Sequence, residues 1–581
     1  MKPALAARLL ELQAARTCYG PGCAVRVEKL LASLRGARFA DAESLIHFHD
    51  ALLFLRAFPQ SRKVITLTEE MLTGVGAQAR QLRDSSEDID LFNDEEFSGI
   101  AGTVIRDAFT YDVARWLASR FPGDLRVEWN LDEQYRQMWS SLPRFVPLLG
   151  DDTFVEPDTP YLQWLSAASG GEDRILSWLL RRVEQMPGSM LEKTAWYDAL
   201  KIEIEWELGE STASRTYARH NPPDFYYHHE PLIQRKQVSL EEELKSAPLP
   251  VRKLSGRDGA VLLDEARQVL AVRYRELWGT TRGDPRQVIE ADVGRGVRLF
   301  LWGLPPEPRL PLRAYLAGHT LKNGVPINYF EAIGLGEWME IGFNTFYAFR
   351  DGETAWVYSK LLHLLNQVAG ITCFSVYPYQ IGKDNEEAIQ SGAFWFYRKL
   401  GFRPGSPELL ALTEKEETRI ARTPGYRTPA RTLRKLAAEH VFFETGDGPR
   451  GLWDRFSIRN IGFAVERQMA IKFKGDPATM RRKTSEWLAK ELGVSLNGND
   501  RKSPPKQNRL GWGTRAFSDF AVMLALAPET KNWSKDEKRA LAAIIRAKSG
   551  ASEVEYLRLM QKHEKLKQAI VRLGIQTPAS R

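Results

Sequence analysis

The sequence predicts an α/β protein (α+β over the whole chain), with a mixed-sheet core flanked by large helical N-terminal and C-terminal regions. Three observations carry this expectation. After about Gly296, β-branched and aromatic runs follow one another between turn signals: "GVRLFLWGL", "LRAYLAGHTL", "VPINYFEAI" and "MEIGFNTFYAF". The order then changes to helix, strand, helix. On either side of this block, apolar residues recur at helical spacing.

Each part has its own signals. Residues 1–240 read as mainly helical, with "AESLIHFHDALLFLRAF" and "DRILSWLLRRVEQM" the clearest stretches. Residues 241–294 read as a linker, "SAPLPVRKLSGRDG", and the helix "VLLDEARQVLAVRYRELW" that leads into the core. The core spans 295–410. Within it the Asn323-Gly324 pair marks a tight hairpin. "ETAWVYSKLLHLLNQVAG" is a helix capped by Gly370, and "ITCFSVYPY" is a short strand. "NEEAIQSGAFWFYRKLGF" then reads as one helix, with Asp384 and Glu387 as a capping box and Gly401-Phe402 as a Schellman ending. Residues 411–581 read as a basic helical region, interrupted by the Pro- and Lys-rich "GNDRKSPPKQNRLGWG".

Bulk composition bounds the function. Of the 581 residues, 43% are apolar and 27% charged, which is ordinary for a globular protein. No apolar run approaches the roughly 18 residues of a membrane span, and the first residues read as an amphipathic helix rather than a signal peptide. The three cysteines, Cys18, Cys23 and Cys373, point to a reducing compartment and a cytoplasmic address. Charge is uneven: residues 411–581 carry 34 Lys and Arg against 19 Asp and Glu (+15), and the preceding 410 residues carry −8. The basic part, with Arg481, Arg482, Lys483, Arg501, Lys502 and Lys506, suits either a nucleic-acid partner or the acidic remainder of the same chain. The second reading is the favoured one.

No Walker loop, Gly-x-Ser-x-Gly elbow or dinucleotide fingerprint is present. Cys18 and Cys23 lack a second pair at zinc-ligand spacing. His228 and His229 with Glu230, or His47 with His49, are the remaining metal candidates, and adjacent histidines generally lie on different faces. Cys373 in its strand reads as a buried apolar residue.

Hairpin strands followed by strand, helix, strand and a helix ending "FYRKLGF" resemble the core of the GNAT acetyltransferase superfamily, over residues 295–410. The resemblance implies acyl transfer from acetyl-CoA or another acyl-CoA to an amine acceptor. The superfamily's phosphate loop falls on Arg350, Asp351, Gly352, Glu353, Thr354 and Ala355, with the glycine one position early. Asn385, which lines the coenzyme by the same resemblance, is twelve residues before Tyr397, where many members have seven. A helix N-terminus beyond Arg350 suits a pyrophosphate, since its N–H groups are unpaired. Tyr397 is the expected general acid, because a phenol protonated at neutral pH can supply a proton to a leaving thiolate. Its alternative is a packing role on one helix face with Phe394. The base falls among Glu331, Glu337 and Glu340 on the central strands, with Glu340 preferred. The rival readings are a non-catalytic binding protein of the same fold and an acyltransferase directed to RNA.

Overall fold

A computed structural model describes residues 3–85, 90–129, 161–222, 224–446, 450–496 and 514–575. The chain is mixed α/β. Two sheets organise it. The smaller lies within the N-terminal region, where β1 (Val104–Asp107), β2 (Leu125–Glu128) and β3 (Glu203–Glu207) run antiparallel in the order β1-β3-β2. Ile204 and Trp206 of β3 are buried beneath Tyr111, Leu117 and Phe121.

The larger sheet has nine strands in the order β11-β12-β10-β9-β8-β7-β6-β5-β4. They are β4 (Val251–Lys253), β5 (Ile289–Gly294), β6 (Val297–Trp302), β7 (Ala314–Lys322), β8 (Val325–Leu335), β9 (Trp338–Thr345), β10 (Cys373–Val376), β11 (Arg403–Pro404) and β12 (Val441–Glu444). Strands β4 to β9 form an antiparallel meander. β10 lies parallel to β9, and β12 inserts antiparallel between β10 and β11. The sheet therefore takes in residues on both sides of 295–410.

All nine residues of β7 are buried, as expected of a central strand covered on both faces. One face carries the helix Thr354–Ala369, whose Leu361, Leu364 and Leu365 are fully buried and whose Gly370 ends it at φ 71°. The helix Ala42–Ala57 is buried almost all round, so its apolar residues do not form the single stripe of a surface helix. On the opposite face the helix Gly256–Ala271 packs Leu262, Leu263 and Ala266 against Phe300 and Trp302.

The Asn323-Gly324 turn joins β7 to β8 with both residues at positive φ, 48° and 80°, as a two-residue hairpin requires. Its asparagine also anchors the N-terminal region. Nδ2 donates to Ala57 O (2.9 Å) and Tyr226 O (3.0 Å), and Oδ1 accepts from Tyr226 N (2.9 Å). Gly324 O accepts from His220 N at 2.9 Å.

The expected helix at 385–402 is two short helices, Glu386–Ser391 and Ala393–Arg398, broken at Gly392 (φ 69°). The cap is Asn385, whose Oδ1 accepts from Ala388 N at 3.1 Å, and not Asp384, which stands at φ 55°. The Schellman ending is present: Phe402 N donates to Tyr397 O (3.2 Å) and Gly401 N to Arg398 O (3.0 Å). Cys18 and Cys23 are joined as a disulfide, against the expectation of reduced thiols, and Cys373 is free and buried. No helix among the described residues is long and apolar enough to cross a membrane.

A methyl group on Gly324 would stand 1.9 Å from His220 O, on a backbone at φ 80°. Gly324→Ala should therefore cost at least ~2 kcal/mol, since the left-handed conformation alone costs an L-residue roughly 1–2. Thermal unfolding measures this. A melting temperature equal to wild type would mean that the turn relaxes without strain.

Candidate functional site

The loop Arg350–Ala355 leads from β9 into the helix beginning at Thr354, and each residue has a definite place. Arg350 pairs with Glu387 (2.5 Å) and lies over the Tyr347 ring. The first of the two short helices therefore meets the loop. Asp351 pairs at 2.7 Å with Arg16, just after the helix Pro3–Ala15. Gly352 is closed over by the N-terminal region, because a Cβ there would stand 2.7 Å from Phe58 Cζ. Thr354 and Ala355 open the helix without a side-chain cap, and the Thr354 hydroxyl is buried without a partner.

Glu353 points inward, and its side chain is fully buried. Oε1 accepts from Ile233 N (3.0 Å) and from Arg295 Nη2 (2.5 Å), and Oε2 accepts from Arg295 Nε at 3.2 Å. Lys322 Nζ is 4.0 Å from Oε2 and donates to Arg295 O, over the rings of Phe58 and Tyr226. Burial lowers the Lys322 ammonium to about 7 against the attraction of Glu353, and burial with the nearby cations lowers His228 to about 2. The terminus of the helix thus already carries a carboxylate and an apolar cover. As arranged, these residues do not fit a coenzyme diphosphate. Asn385 spends its side-chain oxygen on its own helix.

Tyr397 lies in an aromatic cluster with Tyr358 (5.7 Å between centroids), Phe396 and Phe402. Burial pushes its phenol up, and among the described residues neither Tyr358 nor Tyr397 has a hydrogen-bond partner for its hydroxyl. Phe394 is buried beside it and Trp395 is only partly buried, as the helical spacing implies.

The candidate bases separate. Glu331 accepts from the Tyr315 hydroxyl, and burial raises its carboxyl. Glu337, in the β8–β9 turn, accepts from Trp453 Nε1 (3.3 Å) and faces Lys567 (3.6 Å). Glu340 is different. β9 and β10 pair through Trp338–Glu340 and Cys373–Ser375, and β10 ends at Val376 while β9 continues to Thr345. At the end of this pairing, Glu340 Oε2 meets His440 Nε2 at 2.7 Å. His440 comes from just before β12, is about one-third exposed, and has the Tyr377 ring at 5.3 Å. Tyr377 and Tyr379, in the segment that follows β10, are exposed. Strand alternation puts Glu340 on the face opposite Ile341 and Phe343, and Phe343 packs on Tyr358. The expected acid and base are thus on opposite faces of the sheet.

His440 was not among the sequence candidates. It is 100 residues from Glu340, in a segment read as helical, and no spacing rule links the two. Lys322 and Arg295 were likewise missed, since a lysine ending a strand and an arginine in a turn read as solvent-exposed. Of the remaining candidates, His49 is buried against Thr216 (3.1 Å), His47 is exposed, and no group suited to a metal occurs among the described residues. Arg481 pairs with Asp519 (2.7 Å) and Arg482 with Glu486 (3.3 Å), while Arg501, Lys502 and Lys506 lie outside the described residues. Comparison with protein-family models, with curated proteins and with solved structures returns no match.

Two outcomes follow. An unpartnered buried hydroxyl costs about 1–3 kcal/mol, so Tyr397→Phe should leave the melting temperature unchanged or raise it. A clear fall would show that the hydroxyl has a partner. The second outcome concerns pH. Lys322 holds its proton only to about 7 when folded, against an ordinary 10.5. Between those values the unfolded chain binds more protons, so stability rises with pH across this window and the gain is lost as pH falls back through about 7. Lys322→Met should flatten that rise in denaturant titrations, and an unchanged slope would assign it to other groups.

Proposed function

We propose that the chain is a GNAT-like N-acyltransferase that moves an acyl group from a coenzyme A thioester, acetyl-CoA or a longer one, to an amine. One observation carries the reading. A parallel pair of three residues ends where β10 stops at Val376, while β9 runs on to Thr345 and leads through the turn Tyr347–Phe349 to the helix Thr354–Ala369. β9 beyond Glu340 therefore has main-chain groups that β10 does not pair.

The chain's own residues supply one part of the chemistry at the end of this pairing. An alkylammonium must lose a proton before it attacks a carbonyl. With Nε2–H donated to Glu340, His440 presents Nδ1 as the acceptor, and the carboxylate stabilises the imidazolium that forms. The exposed ring of Tyr377, beside His440, suits the approach of a cation. No step is assigned to the coenzyme, whose diphosphate the loop at Gly352 does not fit as arranged.

That closure favours a second reading, a binding protein with this core and no turnover. Thiol release from acetyl-CoA in the presence of mixed amines separates the two. Turnover is expected, and Glu340→Gln or His440→Asn should each lower it about 10²- to 10⁴-fold, the usual cost of losing a general base. Unchanged turnover in both variants removes the pair from the mechanism. An absence of thiol release, together with no thermal shift by acetyl-CoA, replaces the transferase reading with the binding one.

A further inference from the structure

A half-open cavity of about 590 Å³ lies between the helix Gly256–Ala271, the far end of β7 and the N-terminal region. That volume is in the range of small-molecule sites. Apolar groups such as Val261, Val269 and Leu321 line part of it. Its ionisable lining is Arg120, Arg219, His220, His319, Asp264 and Glu265.

His319 of β7 is 3% exposed, lies edge-on to Phe300 and Trp302, and has no partner for Nε2. Burial lowers it to about 3, so it is a neutral ring with one donor and one acceptor nitrogen. His220 is held through Nδ1 by Glu265 Oε2 at 2.8 Å, which leaves its Nε2 for other contacts. His220 also lines an adjoining cavity of about 270 Å³.

Arg219 Nη1 donates to Glu69 Oε1 at 3.1 Å. Glu69 is already gripped by Arg56 through Nε (2.9 Å) and Nη2 (2.7 Å). One carboxylate therefore serves two guanidinium groups and leaves one positive charge over. The Arg219 Nε–H, which is buried, has no partner among the described residues. The acids at the cavity are engaged: Asp264 accepts from Trp116 Nε1 and Gln268 Nε2, both at 2.7 Å, and from Arg120 Nε at 3.4 Å, and Glu265 holds His220.

We propose that this cavity binds a small carboxylate that also carries a hydroxyl, with the carboxylate on Arg219 and the hydroxyl between His319 and His220. The one surplus charge of the Arg56–Arg219–Glu69 group suits a monoanion better than a phosphate dianion, which asks for two or more cationic partners. A hydroxyl both donates and accepts, which matches a neutral imidazole. An ammonium would need acceptor oxygens, and those are already taken.

Glycerate, propionate, glycerol and inorganic phosphate test the site by calorimetric titration of the full chain. Glycerate should bind, with propionate and glycerol each at least about tenfold weaker, since each lacks one of the two recognised groups. Arg219→Lys keeps the charge and removes the Nε–H fork, and should cost glycerate about tenfold or more. In histidine-labelled protein, glycerate should move the His319 Nε2 nitrogen resonance, and His319→Phe should lose binding while keeping the ring volume. The site is overturned by an unmoved His319 resonance at saturating glycerate, by equal glycerate affinity in Arg219→Lys, or by phosphate binding more tightly than glycerate.

Discussion

The buried carboxylate of Glu353 constrains the architecture more than any other single group. Removing an ion from water costs several kcal/mol unless other groups replace its hydration. Here the replacements come from three separate parts of the chain: Arg295 from the β5–β6 turn, the Ile233 N–H from the N-terminal region, and Lys322 from the end of β7. The cluster exists only when the segment around residue 233, the sheet and the start of the helix Thr354–Ala369 are assembled together. It also settles what lies at the helix terminus. A negative group belongs there electrostatically, and the chain provides one of its own.

This arrangement ties the two halves of the functional reading together. The positive end of the helix is answered from inside, and Phe58 covers the adjacent glycine. Glu340 and His440, at the end of the β9–β10 pairing, remain partly exposed. The opposite face, with Tyr397 and Tyr358, is aromatic and closed.

What could be read from the sequence was local. The Asn323-Gly324 turn, the glycine ending at Gly370 and the Schellman motif at Gly401 each depend on a few neighbouring residues and the sterics of positive φ. The β-branched and aromatic runs, "LRAYLAGHTL" and its neighbours, bounded by turn signals, gave the strands. The failures were non-local or lacked a distinctive pattern. β4 is three exposed residues and β12 is four residues inside a helical region, so each becomes a strand only through its sheet partner. The break at Gly392 was hidden because a lone glycine inside a helical pattern is often tolerated. The partners of Glu340 and Glu353 are set by tertiary packing. A cover such as Phe58 over Gly352 leaves no trace in residue spacing.

The double use of Asn323 has a consequence for how the molecule is made. Its side chain satisfies Ala57 O, 266 residues earlier, and both main-chain groups of Tyr226. During synthesis these groups leave the ribosome well before Asn323 exists. At about 5–20 residues per second, the roughly hundred residues from Tyr226 to the turn take about 5–20 s. Over that interval the N-terminal region has no dock, and its last buried polar groups stay hydrated. The β7–β8 hairpin closes locally and rapidly once made, so the docking of Ala57 and Tyr226 waits on the synthesis of Asn323.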